Sequence, residues 1–226
     1  TRGVVVDRTP PVITLTGIFD GERRNAPAPI TFSAADDHLD TVTGTADGQD
    51  ISSGATVSGG GSHTVVVTAR DLAGNTSTLA RSFVIDTTGP TLTLVSPPDG
   101  SITTASRVTL VARASDEGGI VRVRVGGEDM IPDGEDRYQL PVSAAEGANV
   151  YTVVALDTAG NTTQGTRTVI RDTTAPQLTV SQPVEGAQLG ATTVDIVGTV
   201  YDATDVTVTG NGQSAVVEPN GDFHAS

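Results

Sequence analysis

The chain has 226 residues, 27 acidic and 13 basic side chains, a formal net charge of −14, and neither cysteine nor tryptophan. The acidity excludes a partner held by its phosphate backbone. The missing cysteine excludes disulfides and thiolate metal sites, and no apolar run reaches the roughly 18 residues needed to span a bilayer. All 13 basic residues are arginine, so lysine-mediated cross-links are excluded as well.

In chain order, Thr1-Arg2-Gly3-Val4-Val5-Val6 before Asp7 has the pattern of Ala80-Arg81-Ser82-Phe83-Val84-Ile85 before Asp86. Residues 1–7 are therefore expected to be the last strand and linker of a preceding domain. The next strand alternates, Ile13 and Leu15 having counterparts at Leu92 and Leu94 and again at Leu178 and Val180. Period two with threonine between means one buried and one wet face. A second strand carries Ile30, Phe32 and Ala34, which the pattern aligns with Val108, Leu110 and Ala112 and with Val194, Ile196 and Gly198. A third includes Val121-Arg122-Val123-Arg124-Val125, and the penultimate one runs over 63–71, matched by 149–157.

Those penultimate strands end in a motif that returns after 86 residues: Asp71-Leu72-Ala73-Gly74-Asn75-Thr76 and Asp157-Thr158-Ala159-Gly160-Asn161-Thr162. Asp86-Thr87-Thr88-Gly89-Pro90 returns as Asp172-Thr173-Thr174-Ala175-Pro176 after the same 86, and Asp7-Arg8-Thr9-Pro10 precedes it by 79. Markers holding one register define a tandem repeat. The expected domains are 8–86, 87–172 and 173–226, the last without its final strands. About seven strands per repeat and no helical periodicity predict an all-β fold of two-sheet sandwiches in an elongated array.

The Asp-x-Thr-x-Pro opening, the Asp/Glu-Gly turn at Asp20, Asp99 and Glu185, and the Asp-x-Ala-Gly-Asn hairpin together resemble bacterial Ig-like repeats of large surface and secreted proteins, over essentially the whole chain. The resemblance implies an Ig-like or fibronectin III-like fold. It also implies a spacer or stalk role of the adhesin type, with calcium between domains in some members and a place beside catalytic domains in others.

Strand direction gives the acidic residues a location. With successive strands running up and down, the opening linker, the second–third loop and the last hairpin of a sandwich share one pole. Asp86, Asp116 and Asp157 are expected to meet there. The equivalent group in the first repeat is Asp7, Asp37 (or Asp36, since a one-residue gap blurs the register) and Asp71; in the third it is Asp172 and Asp202. Converging carboxylates repel unless a cation or hydrogen bonds offset the charge, and Ca²⁺, which takes 6–8 oxygens in flexible geometry, suits such a set. The competing expectation is that each Asp caps its own turn, with Asn75 and Asn161 as turn residues. Pro10, Pro11, Pro90 and Pro176 stiffen the linkers.

No nucleophile elbow, phosphate loop or zinc-protease motif occurs. The histidines His38, His63 and His224 fall at different places in their repeats, so no histidine metal trio is expected. The acidic cluster Asp36, Asp37 and Asp40 has no cleft for glycosidase chemistry. The expected function is a non-catalytic extracellular stalk segment serving adhesion, whose expected partners are neighbouring Ig-like domains of the same chain and, beyond them, either other protein subunits or a host or cell-surface ligand. A protein- or glycan-binding module and an accessory region of a secreted enzyme remain the alternatives. Should Ser226 be a true chain end, the third sandwich would need strands from another chain.

Overall fold

The computed structural model describes residues 6–190 and 193–225, and among them there are strands and turns but no helix. The strand expected over residues 1–6 falls almost wholly outside these residues. The fold is all-β, a tandem of β-sandwiches, and no described helix is long and apolar enough to cross a membrane.

In the first repeat the opening strand is split between the two sheets. Val12–Thr16 pairs antiparallel with Thr31–Ala35, whereas Glu22–Arg24 pairs parallel with Phe83–Ile85. The switch occurs after Gly17, whose φ is +96° and whose absent Cβ would lie 1.7 Å from the carbonyl oxygen of Pro29. Only glycine fits both the backbone conformation and the space. The larger sheet runs Glu22–Arg24, Thr76–Ile85, Gly61–Asp71, Leu39–Ala46, Gln49–Ile51, and a short ladder joins Ala28–Pro29 to Thr56–Val57.

The second repeat follows the same plan. One sheet orders Thr91–Ser96, Arg107–Ser115, Arg137–Ser143 and Ile131–Pro132. The other orders Ser101–Thr103, Thr162–Arg171, Gly147–Asp157, Ile120–Val125 and Glu128–Asp129. Further on, Gln177–Gln182, Ile196–Tyr201, Asp222–Ala225 and Val216–Val217 form a four-stranded sheet. By spatial contact the described residues fall into two compact units, one within 1–96, 110–140 and 151–166, the other within 97–109, 141–150 and 167–226.

The core of the first repeat shows why alternation suffices to build it. Leu15 and Phe32 on one sheet, with Ile30 just before the strand Thr31–Ala35, cluster with Val65, Val67, Phe83 and Ile85 on the other, all buried. Each such side chain contributes about 1.5–3 kcal/mol on leaving water. Strand pairing also corrects one alignment. Ile13 sits opposite Ala34, and Leu92 sits opposite Ala114. The counterpart of Phe32 is therefore Ala112, not Leu110.

Candidate functional site

At the start of the second repeat, carboxylate oxygens of Asp86, Asp116 and Asp157 all lie within 4.8 Å of one another. They come from the linker after Thr76–Ile85, the loop between Arg107–Ser115 and Ile120–Val125, and the end of Gly147–Asp157. Asp157 is only 1% exposed. Its Oδ1 accepts from the amides of Gly160 (2.7 Å) and Asn161 (2.8 Å), and its Oδ2 accepts from Asn161 Nδ2 at 2.9 Å. Gly160, at φ +97°, makes the turn that aims these amides inward. Asn161 Nδ2 also donates to the carbonyl oxygen of Asp86 at 2.9 Å.

Asp86 Oδ1 accepts from the Thr88 hydroxyl (2.7 Å) and amide (3.1 Å), and its Oδ2 lies 3.7 Å from the Arg23 guanidinium. These Thr88 bonds, helped by Arg23 and opposed by burial, hold the Asp86 carboxyl below the usual range. Asp116 Oδ1 accepts from the Gly118 amide at 2.8 Å. Arg23 lies over that loop, for a Cβ on Gly118 would come within 2.8 Å of its NH1. The cluster thus has a built-in cation beside it.

The first repeat departs from the expected set. The residues brought together are Asp7, Asp36 and His38. Strand register resolves the Asp36/Asp37 alternative. Ala34 and Ala114 are equivalent, so the residue two further on is Asp36 in one repeat and Asp116 in the other. Asp37 is not in the group. Asp36 Oδ1 accepts from the His38 amide at 2.8 Å, and Asp7 Oδ2 lies 3.8 Å from His38 Nδ1.

Asp71 is fully buried and lies outside this trio, and Asn75 links its carboxylate to Asp7. The Asn75 amide and side chain bind Asp71 at 2.8 and 2.7 Å, and Asn75 Nδ2 lies 3.4 Å from the carbonyl oxygen of Asp7. Burial pushes the Asp71 carboxyl up, yet hydrogen bonds from Asn75, Gly74 and Ala73 outweigh it and leave it below the usual range.

In the third repeat Asp172 and Asp202 meet through Thr204. Its hydroxyl donates to Asp172 Oδ2 at 2.8 Å, and Asp202 Oδ1 accepts from the amides of Ala203 (2.6 Å) and Thr204 (3.4 Å). The Thr204 hydroxyl bond, the Thr174 amide and Asp202 hold Asp172 below the usual range against burial.

Sequence reasoning missed three participants. His38 carries no repeat signal, since the other repeats have no histidine at its position. Arg23 lies far from the acidic residues in sequence. Glu146 receives the Thr173 amide (2.8 Å), the Thr173 hydroxyl (2.9 Å) and Arg171 (3.1 Å) at the following linker. The repeated Asp-x-Ala-Gly-Asn motif marks Asn75 and Asn161, but by itself it indicates only a turn.

Residues 90–173 match the family model described as glucodextranase, domain B. No curated protein matches the chain. Among solved structures, the fibronectin(III)-like modules of Clostridium thermocellum CbhA are 21% identical with a TM-score of 0.48, covering 71% of this chain and 94% of theirs. A tetra-tandem repeat from the extending region of a large adhesion protein is 22% identical with a TM-score of 0.34, covering 95% of this chain and 65% of its own. A Bacteroides ovatus glucan-utilisation protein, SGBP-B, is 16% identical with a TM-score of 0.26, covering 97% and 61%. The chain spans less than two thirds of the last two. Its second repeat is similar to glucodextranase domain B, and the whole is a tandem of Ig-like β-sandwiches.

Proposed function

We propose that this chain is a non-catalytic spacer segment of an extracellular bacterial surface or secreted protein, with Ca²⁺ stiffening the junction before the second repeat. The observation that carries the calcium reading is the approach of Asp86, Asp116 and Asp157 from three separate elements to within 4.8 Å. An all-oxygen set of this kind matches the hard ligands Ca²⁺ prefers. Asp7, Asp36 and His38 include a nitrogen donor and are a poorer set for it. Prolines at the linkers, Pro10, Pro11, Pro90 and Pro176, add stiffness that needs no ion.

The hydrogen bonds already filling Asp157, together with the nearby Arg23, favour a second account of the junction, in which capped turns and a resident guanidinium balance the charge without metal. Calorimetric melting in calcium, in magnesium and in chelator separates the two. At calcium about 100-fold above the dissociation constant, stabilisation of about 2.7 kcal/mol is expected, and Asp116→Asn is expected to abolish it. Identical melting in calcium and chelator removes the ion from the proposal.

The match of 90–173 to glucodextranase domain B supports an alternative placement beside the catalytic part of a secreted enzyme. Affinity electrophoresis against soluble glucans checks whether the segment itself holds substrate; unretarded migration leaves the spacer role.

A further inference from the structure

Strand pairing matches the third repeat to the second residue by residue at one corner of the sheet. Leu92 sits opposite Ala114, and Leu178 sits opposite Val200. Ala114 N donates to Asp136 O at 2.9 Å, and Val200 N donates to Gly221 O at 2.8 Å. Asp133 N donates to Arg137 O at 2.7 Å, and Glu218 N donates to Asp222 O at 2.8 Å. Thr199, Tyr201, Glu218 and Asp222 therefore hold the places of Arg113, Ser115, Asp133 and Arg137.

In the second repeat this corner is neutralised from within. Arg113 NH1 donates to both oxygens of Asp136, at 2.7 and 2.9 Å, and Arg137 NH1 donates to Asp133 at 2.9 Å. The third repeat has neither cation. Residues 172–226 contain no arginine or lysine at all, while Glu218 keeps the acid of Asp133 and Asp222 adds one where Arg137 stood. Asp222 accepts from Asn220 Nδ2 at 2.8 Å. Among the described residues, the carboxylates of Asp205 and Glu218 have no ion-pair or hydrogen-bond partner.

At this corner lies a cavity of about 460 Å³ whose lining includes Tyr201, Asp202, Asp205, Glu218 and Asn220, with no basic side chain among the residues around it. Tyr201 is 59% exposed. Main chain backs its ring, for a Cβ on Gly221, at φ +87°, would come within 3.0 Å of Tyr201 Cε1. An aromatic face beside unbalanced carboxylates attracts a positive group. The three carboxylates do not all come within 4.8 Å of one another, as those of Asp86, Asp116 and Asp157 do, so they do not close on a bare metal ion. A lysine side chain would answer one carboxylate and bring no donor for the others. A hexosamine brings one ammonium, several hydroxyl donors and an apolar ring face, and small-molecule sites span about 300–1,000 Å³.

We propose that this cavity of the third repeat binds an amino sugar with a free ammonium group. The sugar's ring face lies on Tyr201, and its ammonium and hydroxyl groups are shared between the carboxylates of Glu218 and Asp205. Charge-assisted hydrogen bonds of this kind are the stronger ones, which makes the ammonium the group that selects the ligand. The site is separate from the Asp86, Asp116 and Asp157 cluster and needs no calcium.

The probe is the β-1,4-linked glucosamine disaccharide, titrated into the intact chain in chelator at about pH 6, where its amines are charged. Saturable shifts of the Tyr201 and Gly221 amide resonances are expected. The N-acetylated disaccharide and cellobiose, which lack the charge, should bind at least about tenfold more weakly. Tyr201→Ala and Glu218→Gln should each weaken binding at least about tenfold, whereas Glu185→Gln, at an exposed acid that does not line the cavity, should leave it unchanged. No saturable shift at about 10 mM disaccharide overturns the proposal, as does equal binding of cellobiose or undiminished binding in both cavity variants. Equal weakening by Glu185→Gln overturns it by reducing the effect to general charge attraction. Equally tight binding of N-acetyl-lysine amide overturns it by showing that an ammonium alone suffices.

Discussion

Asn161 Nδ2 donates a 2.9 Å hydrogen bond to the carbonyl oxygen of Asp86, a residue 75 positions earlier. The same amide holds Asp157 Oδ2, so one side chain ties the last hairpin of the repeat to the linker that opens it. Asn161→Ala is expected to destabilise the chain by about 1–3 kcal/mol, since it leaves buried acceptors short of a donor. Asn161→Asp is expected to cost more, by setting a second carboxylate against Asp157. Asn75→Ala should cost less than Asn161→Ala, its linker contact being 3.4 Å. Urea midpoints of the three variants provide the check, and equal midpoints for Asn161→Ala and the parent refute the tie.

Phe32 and Gly44 are a volume-matched pair. A Cβ on Gly44 would come within 2.5 Å of the Phe32 ring, and the second repeat uses Ala112 and Val125 at the equivalent places. Gly44→Val alone is expected to cost at least about 1–3 kcal/mol through overpacking, and Phe32→Ala alone about 3–5 kcal/mol. The double variant, which copies the second repeat, should be less destabilised than the sum, with a coupling of about 0.5–3 kcal/mol. Strict additivity in a double-mutant cycle would show that the two sites do not share the space.

His63 Nδ1 lies 2.7 Å from Asp47 Oδ2, and its ring packs 5.4 Å from Phe83. The Asp47 hydrogen bond raises His63 above 6.5, against burial, while the His63 bond and the Thr64 amide lower Asp47 below 3.8. The histidine's contribution is therefore full below pH 6.5 and is lost as pH rises through its folded value. The aspartate's is full above 3.8 and is lost as pH falls through its folded value. Stability conferred by the pair should peak between those two limits. In denaturant titrations over pH, His63→Gln is expected to flatten the alkaline limb of the profile. An unchanged limb would place the pH dependence elsewhere.

Gly118 lies under Thr158 and Arg23, at 2.7 and 2.8 Å from where its Cβ would be. Gly118→Ala is expected to cost about 1–3 kcal/mol. Part of that should be recovered in an Arg23→Ala background, where one of the two obstructions is gone. Arg23→Ala alone should change stability by about 0–1 kcal/mol, as for other partly exposed ion pairs. Calorimetry on the four proteins tests this; no recovery in the double variant would leave Thr158 as the whole obstruction.

Much of this was legible in the residues. Alternation at Ile13, Leu15 and Phe32 gave the strands and their buried faces, and strand parity placed Asp86, Asp116 and Asp157 at one end of a sandwich. Register was not legible at the second strand. A slip of two residues leaves every side chain on its own face, so alternation cannot tell Leu110 from Ala112 as the partner of Phe32. Asp36 and Asp37 stayed open for a different reason, a one-residue gap in the loop between the second and third strands that only strand register places. Arg23 and Glu146 escaped because their partners are brought near by the fold alone, without any repeat in the sequence to mark them.

The division of the opening strand has a mechanical consequence. Glu22–Arg24 and the end of Thr76–Ile85 run parallel at the edge of one sheet. A pull applied between the beginning and the end of the repeat slides these two segments past each other along their length. Their cross-links then share the load and must break together, whereas strands joined as a hairpin and pulled from its open end peel apart one bond at a time. Gly17, by allowing the chain to change sheets, sets the repeat to resist tension in the direction in which a tandem chain transmits it.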